Sequence, residues 1–159
     1  MNQNAQFDKL DIQIINNLQT DGRASASKIA DIIGMSIPSV SDRIKKLQKI
    51  GIIRGFKAVI DLKKIGLDVQ AFITIISESS VHYEEIINNA DNNNDIINCY
   101  ATTGNGSHIL FAVTKNSDSL EKLLSDIQGW PGVIRTQTQI ILSSNESMRI
   151  IENSNTNIN

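Results

Sequence analysis

The chain has 159 residues, of which 40% are hydrophobic and 20% charged, and this predicts one folded domain or two small ones. No apolar run reaches the roughly 20 residues that a membrane-spanning helix needs, and the N-terminus lacks the basic and apolar regions of a signal peptide. We therefore expect a soluble cytoplasmic protein. Cys99 is the single cysteine and stands in an apolar segment, so we predict a buried strand residue rather than a disulfide or a reactive thiol.

Charge is distributed unevenly along the chain. Residues 1–66 contain 11 Lys and Arg against 6 Asp and Glu, whereas residues 67–159 contain 4 against 11. A basic half joined to an acidic half is typical of a protein in which only one half binds a polyanion. The basic surplus is densest at Arg43, Lys45, Lys46, Lys49, Arg54, Lys57, Lys63 and Lys64.

Two amphipathic helices are predicted at the start of the chain. The first has Asp8 as its predicted N-cap and ends at residues 21–22. The second is short, with Ser25 or Ser27 as its cap and Gly34 as its end. The residues predicted to face inward are Leu10, Ile14, Ile15 and Leu18 in the first helix and Ile29, Ile32 and Ile33 in the second.

A third helix is predicted to have two different faces. Ser36 is its predicted N-cap, and Pro38 suits the first turn, where its missing N–H would have no intrahelical partner. Val40, Ile44 and Leu47 form an apolar stripe. The remaining surface carries small polar groups near the start and a basic row further along. Such a helix can enter a major groove by its N-terminal end while its cations contact phosphates.

Residues 52–62 alternate in character, which predicts a short β-hairpin or an extended wing. Three helices followed by a wing form a winged helix-turn-helix domain, which we assign to residues 1–63. The same periodicity would fit any small three-helix protein. The Ala30 and Gly34 spacing, the serine cap and the basic third helix together favour DNA binding. The predicted DNA-binding residues are Ser36, Pro38, Ser39, Asp42, Arg43, Lys46 and Arg54.

Two of these residues, Ser39 and Arg43, are expected to reach bases or nearby phosphates. Asp42 is expected either to accept a hydrogen bond from cytosine or to restrain Arg43. A solvated charged surface is the alternative for each residue taken alone.

Residues 64–145 predict strands and helices in the order βαββαβ, a ferredoxin-like domain, so the whole chain belongs to the α+β class. The second helix of this domain is expected to have Ser117 or Ser119 as its N-cap. The residues predicted to face inward are Val81, Ile86, Ile87 and Ala90 in the first helix and Leu120, Leu123, Leu124 and Ile127 in the second. Residues 146–159 predict a polar tail.

The stretch TGNGSHIL, residues 103–110, lies between the second and third strands. Asn105-Gly106 is a strong hairpin signal. A phosphate-binding loop would need a helix after the glycines, and a strand is predicted there instead. His82 and His108 have no cysteine or carboxylate at metal-ligand spacing, and no nucleophile motif is present. We therefore predict no catalytic residue, no metal and no cofactor, and an enzyme is the disfavoured alternative.

The chain resembles the Lrp/AsnC (feast/famine) family of transcription regulators from about residue 7 to 143. The resemblance is carried by LDIQIINNLQTDGR, SASKIADIIGMSIPSVSDRIKKLQKIGIIRGFKAVID, TGNGSHIL and WPGVIRTQTQIIL. It implies a nucleoid-associated regulator whose first domain binds double-stranded DNA within a dimer. It also implies a second domain that pairs sheet to sheet and assembles further, often to octamers.

The resemblance further implies that small effectors, typically amino acids, bind between subunits near the loop that joins strands two and three. Many members have Gly-x-x-Asp in this loop, whereas here Ser107 stands in place of the acid. The residues that the resemblance assigns to effector binding are Thr103, Gly104, Asn105, Gly106, Ser107, Thr136 and Thr138. An architectural DNA-binding protein that senses no metabolite is the alternative, and the missing aspartate favours it.

Overall fold

The computed structural model describes residues 8–144, which divide into two compact units, 8–59 and 60–144. The first unit consists of α1 (Lys9–Thr20), α2 (Ala26–Ile33) and α3 (Ile37–Lys49). These helices meet in an aliphatic core that consists of Ile14, Ile29, Ala30, Val40 and Leu47. The residues come from the apolar stripe of each helix, so the predicted helical periodicity is confirmed for this unit.

Side-chain caps set the start of each helix in this unit. The Asp8 carboxylate accepts from the Asp11 backbone N–H at 2.9 Å, and the Asp11 carboxylate accepts from the Asp8 N–H at 3.1 Å. These reciprocal bonds form a capping box. Ser25 caps α2 and Ser36 caps α3. Gly34 ends α2 in the left-handed conformation, with φ of 70°, which glycine adopts without steric cost.

Two expectations for this unit are wrong. Ile32 was expected to face inward but is 58% exposed, because the core side of α2 is formed by Ile29 and Ala30. Of the two forms expected for the segment after α3, the hairpin is wrong, because residues 51–62 contain no strand, and the extended wing is not contradicted. Alternation indicates which side chains could share a face. A β-ladder also needs a hydrogen-bonded partner strand, which alternation alone does not predict.

The second unit consists of a four-stranded antiparallel sheet and two helices. Its elements are β1 (Val69–Ser77), α4 (Tyr83–Asp91), β2 (Ile96–Ala101), β3 (His108–Thr114), α5 (Ser117–Gln128) and β4 (Val133–Ile140), with single 3-10 turns at Lys63–Ile65 and Ser80–His82. The strand order is β2-β3-β1-β4. The predicted βαββαβ order is therefore confirmed. No helix among residues 8–144 is long and apolar enough to cross a membrane.

The two faces of this sheet differ. On one face, Ile73, Ile75 and Leu110 are fully buried against Ile86 of α4 and Ile127 of α5. We call the opposite side the open face, because both helices of this unit pack on the first. On the open face the Phe72 and Phe111 rings lie 5.6 Å apart, and Phe72 remains 40% exposed. Tyr100 of β2 shares this face through its pairing with Ile109 and is 51% exposed.

Four further expectations are wrong in the second unit. Val81 is 80% exposed because it lies in the 3-10 turn before α4, and Ile87 is 40% exposed beside the buried Ile86. The N-cap of α5 is Asn116, whose side-chain oxygen accepts from the Ser119 N–H at 2.9 Å, rather than either serine. Cys99 is only partly buried, and this burial raises the pKa of its thiol.

Candidate nucleic-acid interface and effector loop

The start of α3 presents a short polar surface to solvent. Ser36 and Ser39 are both exposed, and their hydroxyl oxygens lie 2.7 Å apart while the Ser36 oxygen accepts from the Ser39 N–H. Pro38 and Asp42 are exposed as well. Ile37 is 50% exposed beside them, and the sequence pattern did not single it out. An apolar side chain at this position has the chemistry to contact a thymine methyl group.

The predicted basic row continues along α3. Lys45 and Lys49 are exposed, and Lys46 is about half exposed, with its ammonium nitrogen 3.6 Å from a carboxylate oxygen of Asp11. Arg54 is exposed in the segment after α3 that contains no strand. The cations of this unit therefore differ in availability, because part of the charge on α3 is neutralised within the unit.

Arg43 is the most strongly engaged of these cations. Its Nη1 donates to both carboxylate oxygens of Asp8, at 2.9 and 2.8 Å, and to Oδ1 of Asp11 at 2.7 Å. The Asp11 side chain is fully buried, and that of Arg43 is 26% exposed. The capping box of α1 thus also binds the cation of α3. The restraint on Arg43 that we expected from Asp42 comes instead from Asp8 and Asp11.

The electrostatics of this cluster favour the charged forms. The hydrogen bond to Asp11 and then that to Asp8 raise the pKa of Arg43 above its ordinary value. The backbone N–H of Asp11, ahead of the guanidinium of Arg43, lowers the pKa of the Asp8 carboxyl. Sequence periodicity could not find this contact, because Asp8 and Arg43 are 35 positions apart. The Asp-x-x-Asp spacing at residues 8–11 indicates only the capping box.

The stretch TGNGSHIL forms the connection between β2 and β3, as predicted, but Asn105-Gly106 is not a two-residue hairpin turn. Residues 102–107 form a longer loop, closed by a bond from the Thr102 N–H to the Ser107 carbonyl at 2.9 Å. The residue with positive φ is Gly104, at 105°, and no non-glycine among residues 8–144 has positive φ. A type I′ turn would require positive φ at Asn105.

Gly106 and Ser107 attach this loop to β1. A Cβ at Gly106 would lie 2.3 Å from Cγ2 of Thr74, so only glycine allows the loop to approach so closely. The Ser107 N–H donates to the Ile75 carbonyl at 2.8 Å, and its hydroxyl donates to the same oxygen at 3.3 Å. Ser107 is buried. Its hydroxyl therefore anchors the loop to β1.

His108 extends this anchor into the core. Its Nδ1 lies 3.0 Å from the Ser107 oxygen, and its ring makes an edge contact with Tyr83 at a centroid distance of 4.8 Å. A Ser107 hydroxyl that donates to Ile75 is matched by the tautomer in which Nδ1 of His108 carries the imidazole proton. Nε2 is buried without a hydrogen-bond partner in the described structure. Burial lowers the pKa of His108, which keeps the ring neutral.

The other predicted effector residues lie at different depths. Thr103, Gly104 and Asn105 are exposed at the tip of the loop. Thr136 of β4 pairs with Ile75 of β1, whose carbonyl oxygen accepts from the Ser107 N–H. Thr138 pairs with Ile73, two residues earlier in β1. Both threonines are partly buried. The Ser107 end of the loop and Thr136 therefore lie on opposite sides of Ile75 in β1.

The second histidine has a carboxylate neighbour that the sequence analysis did not identify. His82 Nδ1 lies 3.0 Å from a carboxylate oxygen of Glu85, one helical turn later. Within residues 8–144, no group of three or more His, Cys, Asp or Glu side chains could hold a metal ion. The pair is accounted for as a local contact at the start of α4.

A helix-turn-helix unit with an exposed polar and basic third helix, joined to a ferredoxin-like unit, defines a DNA-binding transcription regulator. Residues 7–54 match the family described as winged helix-turn-helix DNA-binding, and residues 70–150 match the Lrp/AsnC ligand binding domain. The chain belongs to the Lrp/AsnC family of transcriptional regulators. Members of this family are regulators and not enzymes, and this chain is one of them.

Individual relatives cover nearly the whole chain. The HTH-type transcriptional regulator FL11 of Pyrococcus horikoshii is 34% identical over 88% of this chain and 92% of its own length. The regulatory protein AsnC of Haemophilus influenzae is 33% identical over 85% of this chain and 95% of its own. The structure of AsnC from Escherichia coli superposes with a TM-score of 0.82 at 29% identity, covering 92% of this chain and 98% of that one. The predicted α+β fold, with an N-terminal helix-turn-helix domain and a C-terminal four-stranded antiparallel sheet with helices, is thus confirmed.

Proposed function

We propose that the chain is a sequence-specific regulator that binds double-stranded DNA as an oligomer and is modulated by an amino acid or a related small effector. The observation that carries the DNA-binding part is the exposed start of α3, where Ser36, Pro38, Ser39 and Asp42 stand ahead of a basic row. Small polar side chains at a helix start fit the floor of a major groove, and cations further along fit the phosphates. The proposed interface also includes Lys46 and Arg54, whereas Arg43 is already bound by Asp8 and Asp11.

The DNA-binding proposal is tested with a charge-reversal pair on α3. Lys45→Glu/Lys49→Glu changes two exposed cations, and we expect affinity for a labelled duplex to fall at least about tenfold at moderate salt, since two phosphate contacts become repulsive. Fluorescence anisotropy measures the change. Lys115→Glu/Lys122→Glu alters the same net charge at exposed positions of the second unit and should have a much smaller effect. Equal losses in both variants would refute an interface on α3.

We infer that the oligomer forms through the open face of the sheet. Phe72 and Phe111 form an aromatic pair on that face, and Tyr100 is exposed on the same face, so three aromatic side chains are available for a contact. The family resemblance implies sheet-to-sheet pairing of two copies, and a twofold contact would place these aromatic side chains against the same residues of the second copy. A dimer would also supply the two α3 helices that a pair of DNA half-sites requires.

For the effector, we propose a site at the exposed tip of the loop, residues 103–105, with Gly106 and Ser107 beneath it and Thr136 and Thr138 on the neighbouring strand. Residues 102–107 contain no acid, and the Ser107 hydroxyl is engaged by Ile75 and His108. A bound ammonium group would therefore be held by carbonyl and hydroxyl oxygens, which make weaker bonds than a carboxylate does. We therefore expect this loop to bind a zwitterion more weakly than a loop that contains a carboxylate would.

Thermal unfolding with a panel of amino acids distinguishes this effector proposal from an architectural role without sensing. A ligand at 100 times its dissociation constant adds about 2.7 kcal/mol of stability and should raise the melting temperature by several degrees. Asn105→Ala at the loop tip should reduce that rise, whereas Asn88→Ala on the exposed side of α4 should leave it unchanged. No shift with any amino acid would favour the architectural alternative.

A further inference from the structure

The contacts of Arg43 point to a role other than reading DNA. We propose that Arg43 is a positioning residue, which fixes α3 against the start of α1 through Asp11, and that it makes no phosphate contact when the protein binds DNA. The inference rests on the proposed DNA-binding function and concerns how the reading helix is held. It reassigns a cation that sequence position alone would place in the interface.

One nitrogen of the Arg43 guanidinium is surrounded by several acceptors. Nη1 of Arg43 is bound by three carboxylate oxygens within 2.9 Å, two from Asp8 and one from Asp11. Charge-assisted bonds of this length are the strong kind, and they fix the guanidinium plane. A phosphate that approached Nη1 would have to compete with two carboxylates that are already in contact.

Asp11, which binds Arg43, is a buried carboxylate. Its side chain has no exposed surface, and its charge is compensated by Arg43 together with Lys46 at 3.6 Å. If Arg43 turned outward to a phosphate, the Asp11 carboxylate would lose its nearest cation without gaining water. An uncompensated buried charge is among the costliest defects in a folded protein. The DNA-bound state would be raised in free energy by this loss, which opposes the movement of Arg43 away from Asp11.

The charges of the ion pairs around Asp11 balance one another. Asp8 and Asp11 together carry two negative charges, and Arg43 and Lys46 carry two positive ones, so this cluster has no net charge. The cations exposed for phosphates on α3 are then led by Lys45 and Lys49. Arg43 contributes to DNA affinity by holding these groups and the polar start of α3 in place.

The salt dependence of DNA binding separates the two roles. Each phosphate contact contributes about −0.9 to the slope of log K against log salt concentration. We expect Arg43→Gln to weaken binding about tenfold at every salt concentration and to leave the slope unchanged. Because each substitution occurs twice in a dimer, Lys45→Gln/Lys49→Gln should make the slope shallower by about two to four. A slope shallower by about two in Arg43→Gln, or an unchanged affinity in that variant, would overturn the proposal.

A double variant keeps the test decisive if Arg43→Gln is too unstable to assay. Asp11→Asn/Arg43→Gln removes the buried charge together with its partner, and we expect it to fold and to bind DNA within about threefold of the parent protein, again with the parent slope. A shallower slope in the double variant would overturn the positioning role. If the parent protein itself fails to bind any duplex at low salt, the proposed function fails and not the role of Arg43.

Discussion

Arg43→Gln is expected to lower the free energy of unfolding of the N-terminal unit by about 2–3 kcal/mol. Breaking a buried ion pair by removing one partner generally costs about 3–5 kcal/mol, because the remaining charge is left in a poorly solvated place. Here the loss is smaller, since Arg43 is 26% exposed and Lys46 stays 3.6 Å from Asp11. Urea unfolding followed by circular dichroism measures the change, and hydrogen exchange of the amides in α1 and α3 locates it.

The partner variants sharpen this prediction, because the two ends of the pair differ in burial. Asp11→Asn should be milder than Arg43→Gln, since Arg43 keeps Asp8 and partial access to water. Asp11→Asn/Arg43→Gln should recover most of the stability lost in Arg43→Gln. An Arg43→Gln variant within about 0.5 kcal/mol of the parent, the range of ordinary surface substitutions, would show that the pair contributes nothing.

Phe72→Asp is expected to weaken the dimer about 1,000-fold. Loss of a central aromatic anchor costs at least about 2 kcal/mol, and twofold symmetry places the substitution in the interface twice, so about 4 kcal/mol is lost. Each 1.4 kcal/mol is a factor of ten in the dissociation constant. Sedimentation velocity over a range of concentrations measures the dimer, and DNA affinity should fall in parallel because a monomer offers only one α3.

Ile87→Asp is the matched control for this substitution. Ile87 is also 40% exposed, but it lies on α4 and away from the open face, so the dimer should remain intact. The Phe72 variant should keep the far-ultraviolet circular dichroism of the parent, because the Phe72 side chain lies outside the buried cluster of the second unit. A Phe72→Asp protein that sediments as the parent does would rule out the open face as the dimer contact.

Periodicity predicted the elements of this protein well. Apolar spacings located α1 to α5 and β1 to β4, because each element buries one stripe or one face. They were less accurate at the edges of those stripes, where Ile32, Val81 and Ile87 were expected inside but are exposed. A residue at the border of a helical stripe is turned by about 100° from its neighbour, and packing decides which of the two is buried.

The sites were harder to predict, because their key contacts join distant parts of the chain. Arg43 was identified as a cation on the exposed side of α3, but its two acceptors belong to α1. Ser107 was identified as the residue in place of an acid, but its binding to Ile75 depends on the register between β1 and β3. Spacing within one element carries no information about either contact.

Selection of binding sites from a pool of random duplexes tests most directly whether a dimer reads DNA through α3. We expect enrichment of two half-sites related by a twofold axis, with centres about one helical turn or a multiple of it apart, since each α3 of the dimer reads one half. The Lys45→Glu/Lys49→Glu protein should enrich nothing. A parent protein that leaves the pool unchanged, or enriches a single site without symmetry, would show that DNA is not read by a dimer through α3.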